Sequence, residues 1–439
     1  MTTRLLFAEP NDLWIPWMRR ALALAALGEG RTSPNPVVGA VVLDGAGMLV
    51  GEGYHARAGE PHAEVGALAQ AGERARGGTL LVTLEPCCHH GRTPPCSEAV
   101  IAAGIARVVV AMADPDPRVS GGGIARLQAA GLEVILGVAE AEARHQNRAF
   151  VHRIATGRPW GLLKWAMSLD GRTALPNGAS QWISGPEARA WVHRLRAGCD
   201  AVIVGGGTVR TDDPLLTSRG RRQPEPLRVV LSRSLELPAD ARLWDQGLAP
   251  TLVAHGPASP PAPPARDEGS REDPPMADPS WQHRAARLDA LEVERLELPA
   301  CEPAALLEAL AARGCNRVLW ECGPELAAVA LRQGCVQELA AVIAPKLLGG
   351  QPARTPLGDL GLTAMEQARP WQELERTGLG PDLLWRLHAQ DPAAAFGGDA
   401  LRGDARHGDA WPGDAFGGDG WRAAPGLSAE GGESGADAT

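Results

Sequence analysis

The chain has 439 residues, 44% of them hydrophobic, and a net charge of −9, enough for two or three domains with ordinary cores. The acidic balance argues against a nucleic-acid partner held by phosphate neutralisation, though not against a local basic pocket for one phosphate. No run approaches the roughly 18–20 apolar residues of a membrane span, and eight cysteines, crowded only over residues 87–96, do not form a secreted disulfide framework, so a reducing, cytoplasmic setting is expected.

Residues 13–28 read as an amphipathic helix. Its Arg19-Arg20 pair precedes an apolar run, Ala21 to Leu27, that superficially matches a twin-arginine signal. The run is short, lacks a small-residue cleavage site and merges into a foldable segment, so export is not expected. Strands follow at Val37–Leu43, Thr79–Leu84, Arg107–Ala111 and Leu132–Leu136, with helices at 61–74, 97–103 and 122–130 between them. This alternation implies an α/β layer fold with helices on the sheet faces. His62-Ala63-Glu64 opens one helix and Cys96 the next, and helix N-termini favour thiolate over thiol.

A second α/β unit begins near Pro159. Its strands are expected at Gly161–Met167, Ala201–Gly205, Leu227–Leu231, Thr251–Ala254, Arg317–Trp320, Glu338–Ile343 and Asp382–Leu387, and its helices at 186–197, 303–313 and 324–333. The stretch Gly256–Ser280, rich in Pro, Asp and Glu, reads as a disordered surface insertion. From about Asp391 the chain turns Gly/Asp/Ala-rich, and Phe396-Gly397-Gly398-Asp399-Ala400 is echoed by Phe416-Gly417-Gly418-Asp419-Gly420. The regular nonapeptide of a calcium-binding repeat is missing, so an acidic disordered tail is expected. The division is therefore 13–155, then 159–390 with the 256–280 insertion, then a 391–439 tail. Lysine occurs only at Lys164 and Lys346, both in apolar strand-like runs.

The chemistry concentrates in His62-Ala63-Glu64 and in Glu85-Pro86-Cys87-Cys88-His89-His90-Gly91-Arg92-Thr93-Pro94-Pro95-Cys96. One imidazole (His62), two thiolates (Cys87, Cys96) and an unligated carboxylate (Glu64) are what a hydrolytic Zn²⁺ site needs. Three protein ligands leave a fourth position for water, whose pKa the ion lowers towards about 7. H-x-E…P-C-x-x-C marks zinc nucleobase deaminases; here eight residues rather than two separate Cys87 from Cys96. Adjacent residues rarely both reach one tetrahedral metal, so only one of Cys87 and Cys88 is expected as a ligand. Glu64 is assigned as general acid/base, shuttling protons from water to the ring nitrogen and the leaving ammonia. The longer insertion, with its cationic and donor groups, suits a substrate that bears a phosphate.

No G-x-G-x-x-G follows a strand, so a Rossmann site is not supported. Instead there is an ordered set: Lys164-Trp165-Ala166-Met167-Ser168-Leu169-Asp170-Gly171, Ser180-Gln181-Trp182-Ile183-Ser184, Gly205-Gly206-Gly207-Thr208-Val209-Arg210-Thr211-Asp212-Asp213-Pro214 and Glu321-Cys322-Gly323-Pro324-Glu325-Leu326. Gly323-Pro324 ends a buried strand and starts a helix, whose free N–H donors suit a pyrophosphate.

On these motifs, over roughly residues 15 to 388, the chain resembles the bifunctional riboflavin-biosynthesis deaminase/reductase family. The resemblance implies a cytidine-deaminase-like α/β/α zinc domain followed by a dihydrofolate-reductase-like α/β domain. It implies zinc-dependent deamination of 2,5-diamino-6-(5-phosphoribosylamino)pyrimidin-4-one to 5-amino-6-(5-phosphoribosylamino)uracil, then NADPH-dependent reduction of the ribosyl chain to ribityl. Asn35, His55, His89 and Arg92 would line the pyrimidine and ribose-phosphate pocket; Asn35, in the rigid turn Pro34-Asn35-Pro36, can pair with a pyrimidine edge or simply form the turn. The cofactor would contact Ala166, Trp182, Thr208, Asp212 and the backbone of Gly323, Pro324, Glu325, Leu326, Ala327, Ala328 and Val329. The reductase substrate would contact Ser180, Arg196, Leu216, Arg219 and Glu321, with Arg196 and Arg219 as phosphate clamps and Glu321 or Lys164 protonating or orienting the sugar.

The family usually has Ser at the Cys88 position, so the resemblance implies Cys87 as the ligand and Cys88 as a bystander. It often shows Asp-Ser where Ser232-Arg233 stands here, so Arg233 or Arg210 becomes the candidate for the 2′-phosphate of NADPH. A homo-oligomer is expected, its number open. The rival readings are a single-activity deaminase with a non-catalytic second domain, a tRNA or DNA deaminase, and a structural zinc completed by Cys88 or His90. A nucleic-acid deaminase would need a basic surface and the short P-C-x-x-C spacing, neither of which this chain has.

Overall fold

The computed structural model describes residues 13–88, 94–258, 279–351 and 354–389. The first sheet is built from β1 (Gly39–Leu43), β2 (Leu49–Tyr54), β3 (Thr79–Val82), β4 (Arg107–Val110) and β5 (Glu133–Leu136), ordered β2-β1-β3-β4-β5. β1 runs antiparallel to both neighbours, while β3, β4 and β5 are parallel. Alternation along β1 sorts the core. Val41 and Leu43 face α1 (Ile15–Ala26), α5 (Glu140–Gln146) and α6 (Arg148–Thr156). Ala40 and Val42 face α2 (Ala63–Ala71), α3 (Cys96–Ala102) and α4 (Gly122–Ala129). The result is a three-layer α/β/α sandwich.

Beyond α6, β6 (Trp160–Ser168) enters a nine-stranded sheet. Its other members are β7 (Ala201–Gly205), β8 (Leu227–Leu231), β9 (Thr251–His255), β10 (Glu294–Glu297), β11 (Arg317–Trp320), β12 (Glu338–Ala344), β13 (Trp371–Leu379) and β14 (Asp382–Ala389), in the order β10-β9-β8-β7-β11-β6-β12-β14-β13. All pairs are parallel except β12·β14 and β14·β13. Val202 and Val204 pack with α7 (Pro186–Ala197) and α9 (Pro279–Ala290) on one face. Ala201 and Ile203 pack with α10 (Pro303–Ala312) and α11 (Pro324–Arg332) on the other. A short helix, α8 (Gly206–Asp212), follows β7 directly.

Every strand and helix read from the sequence is present within two residues of its expected bounds at most ends. Missing from the sequence reading are β2, β10, β13, α5, α6, α8 and α9. β2, Leu-Val-Gly-Glu-Gly-Tyr, is poor in strand formers because α2 lies directly on it: a Cβ at Gly51 would stand 2.1 Å from the Ala67 carbonyl oxygen. β13 is a polar edge strand whose burial never exceeds intermediate. Lys346 is a correction, since it lies exposed two residues past the end of β12 rather than in a strand. Of the expected insertion, residues 259–278 lie outside the described residues, as does the tail from residue 390. Among the described residues no helix is long and apolar enough to cross a membrane.

One charge cluster ties the sandwich to the larger sheet. Glu338, fully buried at the start of β12, meets Arg148 of α6 at 3.2 Å and Arg317 of β11 at 3.7 Å, and accepts a 3.0 Å hydrogen bond from Arg386 of β14. Burial opposes its ionisation, but the three guanidinium groups prevail and hold the carboxyl far below its ordinary range.

Candidate active sites

The first site forms where β3 ends. His62 is the extended N-cap of α2 and Cys96 the first residue of α3, while Cys87 sits on the loop between. The His62 Nδ1 atom lies 3.1 Å from Cys96 Sγ and 3.8 Å from Cys87 Sγ, and the three donor atoms fall within 4.8 Å of one another. A tetrahedral zinc with bonds of about 2.1–2.3 Å has ligand–ligand edges of about 3.5–3.8 Å, so the donor set fits the ion. Cys88 stands apart from it, its sulfur against Gly122.

Electrostatics favours a thiolate at Cys87, on the loop before α3, and not at Cys96, where the helix start had suggested one. The Cys96 thiol hydrogen-bonds Cys87, as does the Cys96 backbone N–H at 3.3 Å, and together with His62 they hold Cys87 well below the usual thiol range. Cys96 moves the opposite way, as the proton-bearing partner of that pair and through burial. The hydrogen bond to Cys87 raises His62. Glu64, only 3% exposed in the first turn of α2, has its carboxyl pushed up by burial and touches Cys96.

Glu85 holds the Cys87 loop in place, a role the sequence reading missed. Its buried carboxylate accepts the backbone N–H groups of Asp114 (3.1 Å), Gly121 (3.0 Å), Gly123 (2.9 Å) and Ile124 (3.1 Å). It therefore anchors the N-terminus of α4 against Pro86, where a Cβ at Gly123 would fall 1.9 Å from the Pro86 carbonyl oxygen. The available signal was an acidic residue at the end of an apolar strand, where few carboxylates are left unpaired.

Asn35 and His55 come together beside the donor set. His55 Nδ1 lies 3.2 Å from the Pro61 carbonyl oxygen, which can only accept, so Nδ1 carries the proton. Its Nε2 then accepts from Asn35 Nδ2 at 3.2 Å, and burial keeps the ring neutral by lowering its pKa. The His55 and His62 rings meet edge to face at 5.3 Å. His89 and Arg92 lie outside the described residues.

The second site follows from topology. β7 and β11 are neighbours, yet β7 leads through α8 to β8 on one side and β11 through α11 to β12 on the other. Such a divergence opens a crevice at the carboxyl ends of the strands. Two helix N-termini meet there, with Gly323 facing Thr208 across it: a Cβ on Gly323 would lie 3.9 Å from Thr208 Oγ1. The Ala327 N–H already bonds the Gly323 carbonyl at 3.0 Å, and the Ala327 and Ala328 side chains are buried. Of the run from Gly323 to Val329, the N–H groups of Gly323, Glu325 and Leu326 are those that precede the helical ladder.

Asp212, at the end of α8, and Ser180 are hydrogen-bonded and line one cleft with Gln181 and Thr211. Burial raises the Asp212 carboxyl pKa. Trp182 is 62% exposed, with the Arg189 guanidinium 4.6 Å above its ring, and Lys346 Nζ donates to its carbonyl at 2.7 Å. Ala166 lies half-buried on β6.

Arg196 is not a free phosphate clamp. Its guanidinium is forked onto Glu321 at 2.6 and 3.0 Å and also donates to the Thr217 carbonyl at 3.0 Å. Burial opposes ionisation of Glu321, but Arg196 and then Lys164 keep it below its usual range. Lys164 is the reverse case: burial lowers its pKa, Glu321 partly restores it, and its ammonium has no hydrogen-bond partner among the described residues. Leu216 belongs to the core at 2% exposure, with φ of +54°. Arg219 is exposed on the adjoining loop, which Glu225 organises by accepting from Ser218 and Gly220. His193 was overlooked. With Arg189 and Arg196 it occupies one face of α7, and its Nδ1 is buried with no hydrogen-bond partner among the described residues. Arg210 donates to the Glu236 carbonyl at 2.7 Å, whereas Arg233 is exposed.

Residues 159–384 match the family model of the RibD C-terminal domain, and residues 15–112 that of the cytidine and deoxycytidylate deaminase zinc-binding region. Riboflavin biosynthesis protein RibD of Synechocystis sp. is 49% identical over 368 residues, covering 84% of this chain and 94% of that one. The Escherichia coli protein of the same name is 43% identical over 385 residues, with 84% and 98% covered. Among solved structures, Acinetobacter baumannii RibD superposes with a TM-score of 0.73 at 38% identity, covering 86% of this chain and 98% of that one. A Thermotoga maritima diaminohydroxyphosphoribosylaminopyrimidine deaminase/5-amino-6-(5-phosphoribosylamino)uracil reductase gives 0.72 at 32% identity, with 86% and 99% covered.

Proposed function

The chain belongs to the RibD family of riboflavin biosynthesis proteins, bifunctional deaminase/reductases, and from that premise we propose which of its residues perform each step. The deaminase unit, residues 13–155, would convert 2,5-diamino-6-(5-phosphoribosylamino)pyrimidin-4-one to 5-amino-6-(5-phosphoribosylamino)uracil. The reductase unit, residues 159–390, would reduce the ribosyl chain of that product to ribityl. The observation that carries the reading is the His62–Cys87–Cys96 donor set beside the buried Glu64.

His62, Cys87 and Cys96 would hold Zn²⁺, which when bound supplies Lewis acidity and a nucleophile at neutral pH. Glu64, buried against Cys96, would take a proton from the attacking water and hand it to the pyrimidine ring nitrogen and the departing ammonia. Asn35, with Nδ2 tied to His55, keeps Oδ1 to accept from an amino or ring N–H of the pyrimidine. His89 and Arg92 extend the pocket towards the phosphate on the strength of the sequence.

In the reductase unit, Ala166, Trp182, Thr208, Asp212 and the start of α11 would seat NADPH, which when bound supplies the hydride. Glu321, forked by Arg196, stays anionic and so orients the ribose hydroxyls rather than donating a proton. Lys164, a cation destabilised by burial, is then the proton donor to the sugar oxygen. Arg219 and His193 face the phosphate end, and Arg233 the cofactor's 2′-phosphate. Eight free thiols support a reducing, cytoplasmic setting, and we place the working form as a homo-oligomer.

The test is mass spectrometry of the diaminopyrimidine ribotide incubated with zinc-replete protein, first without NADPH and then with it. A gain of about one mass unit, as NH becomes O, should be followed by about two more on adding cofactor. The first change alone would leave a deaminase with a non-catalytic second unit. Neither change would remove the substrate assignment.

A further inference from the structure

We infer that Asp200 and Asn316, both in the nine-stranded unit, are positioning residues for the deamination site in the other unit. The inference rests on the reading that Asn35 and His55 meet the pyrimidine, and it identifies what fixes that pair. Asn316 precedes β11 and is 6% exposed. Its Nδ2 lies within hydrogen-bond reach of three acceptors on one turn: Ser33 Oγ (3.2 Å), the Pro34 carbonyl (3.2 Å) and the Asn35 carbonyl (3.3 Å). Its Oδ1 accepts from Arg153 Nε at 2.6 Å, and Arg153 Nη2 donates to the same Pro34 carbonyl at 2.9 Å. An amide has two N–H hydrogens, so serving three acceptors uses its full donor capacity on this turn.

Asp200, at the entry to β7, locks the donor in place. Its Oδ2 accepts from the Asn316 N–H (2.7 Å), the Arg317 N–H (3.0 Å) and Ser33 Oγ (2.9 Å). Glycines on both sides permit the approach. Gly314, at φ +87°, would bring a Cβ 3.1 Å from the Pro34 ring, and Gly30, at φ +75°, would bring one 2.3 Å from the Ala197 carbonyl oxygen. The turn that presents Asn35 is therefore moulded on the amino-terminal edge of the larger sheet, opposite the carboxyl-terminal edge that bears the second site.

The consequence is directional. Asn35's side chain reaches His55 from a backbone whose carbonyl is held by Asn316, so loosening that carbonyl frees the pyrimidine contact. It leaves the His62–Cys87–Cys96 set and Glu64 where they are. Displacement of a substrate-orienting group by about 1 Å can cost on the order of a hundredfold. The loss should appear in binding, and the reductase site should not register it.

The experiment compares full-length Asn316→Ala and Ser33→Ala proteins with the parent. Deamination and reduction are each measured on their own pyrimidine ribotide, alongside zinc content. The expected result is a rise in deaminase KM of about tenfold or more for Asn316→Ala and a smaller rise for Ser33→Ala. The deaminase kcat, the reductase kcat/KM and the zinc content should be preserved. Asn35→Ala separates the two levels of argument. If it raises KM while neither Asn316→Ala nor Ser33→Ala does, the positioning role is overturned and the Asn35 assignment survives. If Asn35→Ala itself leaves KM unchanged, the assignment fails and takes the inference with it. Matching losses in both activities or in zinc would mark a merely structural role and overturn the inference. If Asn316→Ala does not fold, Ser33→Ala decides.

Discussion

The two sites of this chain are assembled from different materials. The deaminase site gathers side chains whose chemistry is individually distinctive: one imidazole and two thiols with donor atoms within 4.8 Å of one another, and a carboxylate that touches one of those thiols. The reductase site is mostly backbone, formed by two helix N-termini at the divergence of β7 and β11, together with the half-buried charges of Lys164, Arg196 and Glu321. A metal site lets few donor types satisfy its geometry, whereas a cofactor cradle accepts many side chains provided the peptide groups are placed. Substitutions should therefore be decisive at the first site and graded at the second.

The sharpest break in that comparison is Cys96→Ser. Removing one of three ligands should abolish zinc binding and deamination together, read by metal analysis and ammonia release, while NADPH oxidation on the supplied uracil ribotide continues. Glu64→Gln should keep the zinc and lose deamination by about 10²–10⁴. Zinc lost from the Glu64 variant would mean that the carboxylate is structural. Glu338→Gln belongs to neither site and should be felt by the whole molecule. It leaves three arginines around a neutral amide, a loss on the order of 3–5 kcal/mol, visible as a lowered Tm with both activities intact at low temperature. An unchanged Tm would show that the cluster contributes specificity rather than stability.

The same contrast governs what could be read from the sequence. His62, Cys87 and Cys96 could be singled out because a metal accepts few donor types, and their donor atoms lie together. Most strands of both sheets were legible from their apolar runs, but the polar β10 and β13 were not. β2 was not, since the closeness of α2 replaces side chains by glycine at Gly51 and Gly53. The engagement of Arg196 with Glu321 joins residues 125 apart in sequence, and nothing local in α7 announces it. Asn316 was invisible for the same reason, because its partners Ser33, Pro34 and Asn35 lie more than 280 positions away. Motifs name the atoms that do chemistry, whereas the atoms that hold them are chosen by tertiary neighbours.

Lys164 offers the graded counterpart to Glu64. Its ammonium is destabilised by burial and only partly restored by Glu321, so its folded pKa lies below the ordinary lysine value. A proton donor of this kind is active while protonated, and reductase kcat should therefore fall as pH rises through that depressed pKa, with no matching limb in deamination. Lys164→Met should remove the alkaline limb and lower reductase kcat by about 10²; a retained limb would assign the titration elsewhere. Arg233→Ala should have the mildest effect. The side chain is exposed, so losing one guanidinium–phosphate contact should raise the KM for NADPH by about tenfold, equivalent to about 1.4 kcal/mol, and leave the KM for NADH unchanged. An equal rise for both cofactors would place Arg233 against the shared part of the dinucleotide. No change in either would return the 2′-phosphate to the backbone ends of α8 and α11, which is how the rest of that site is built.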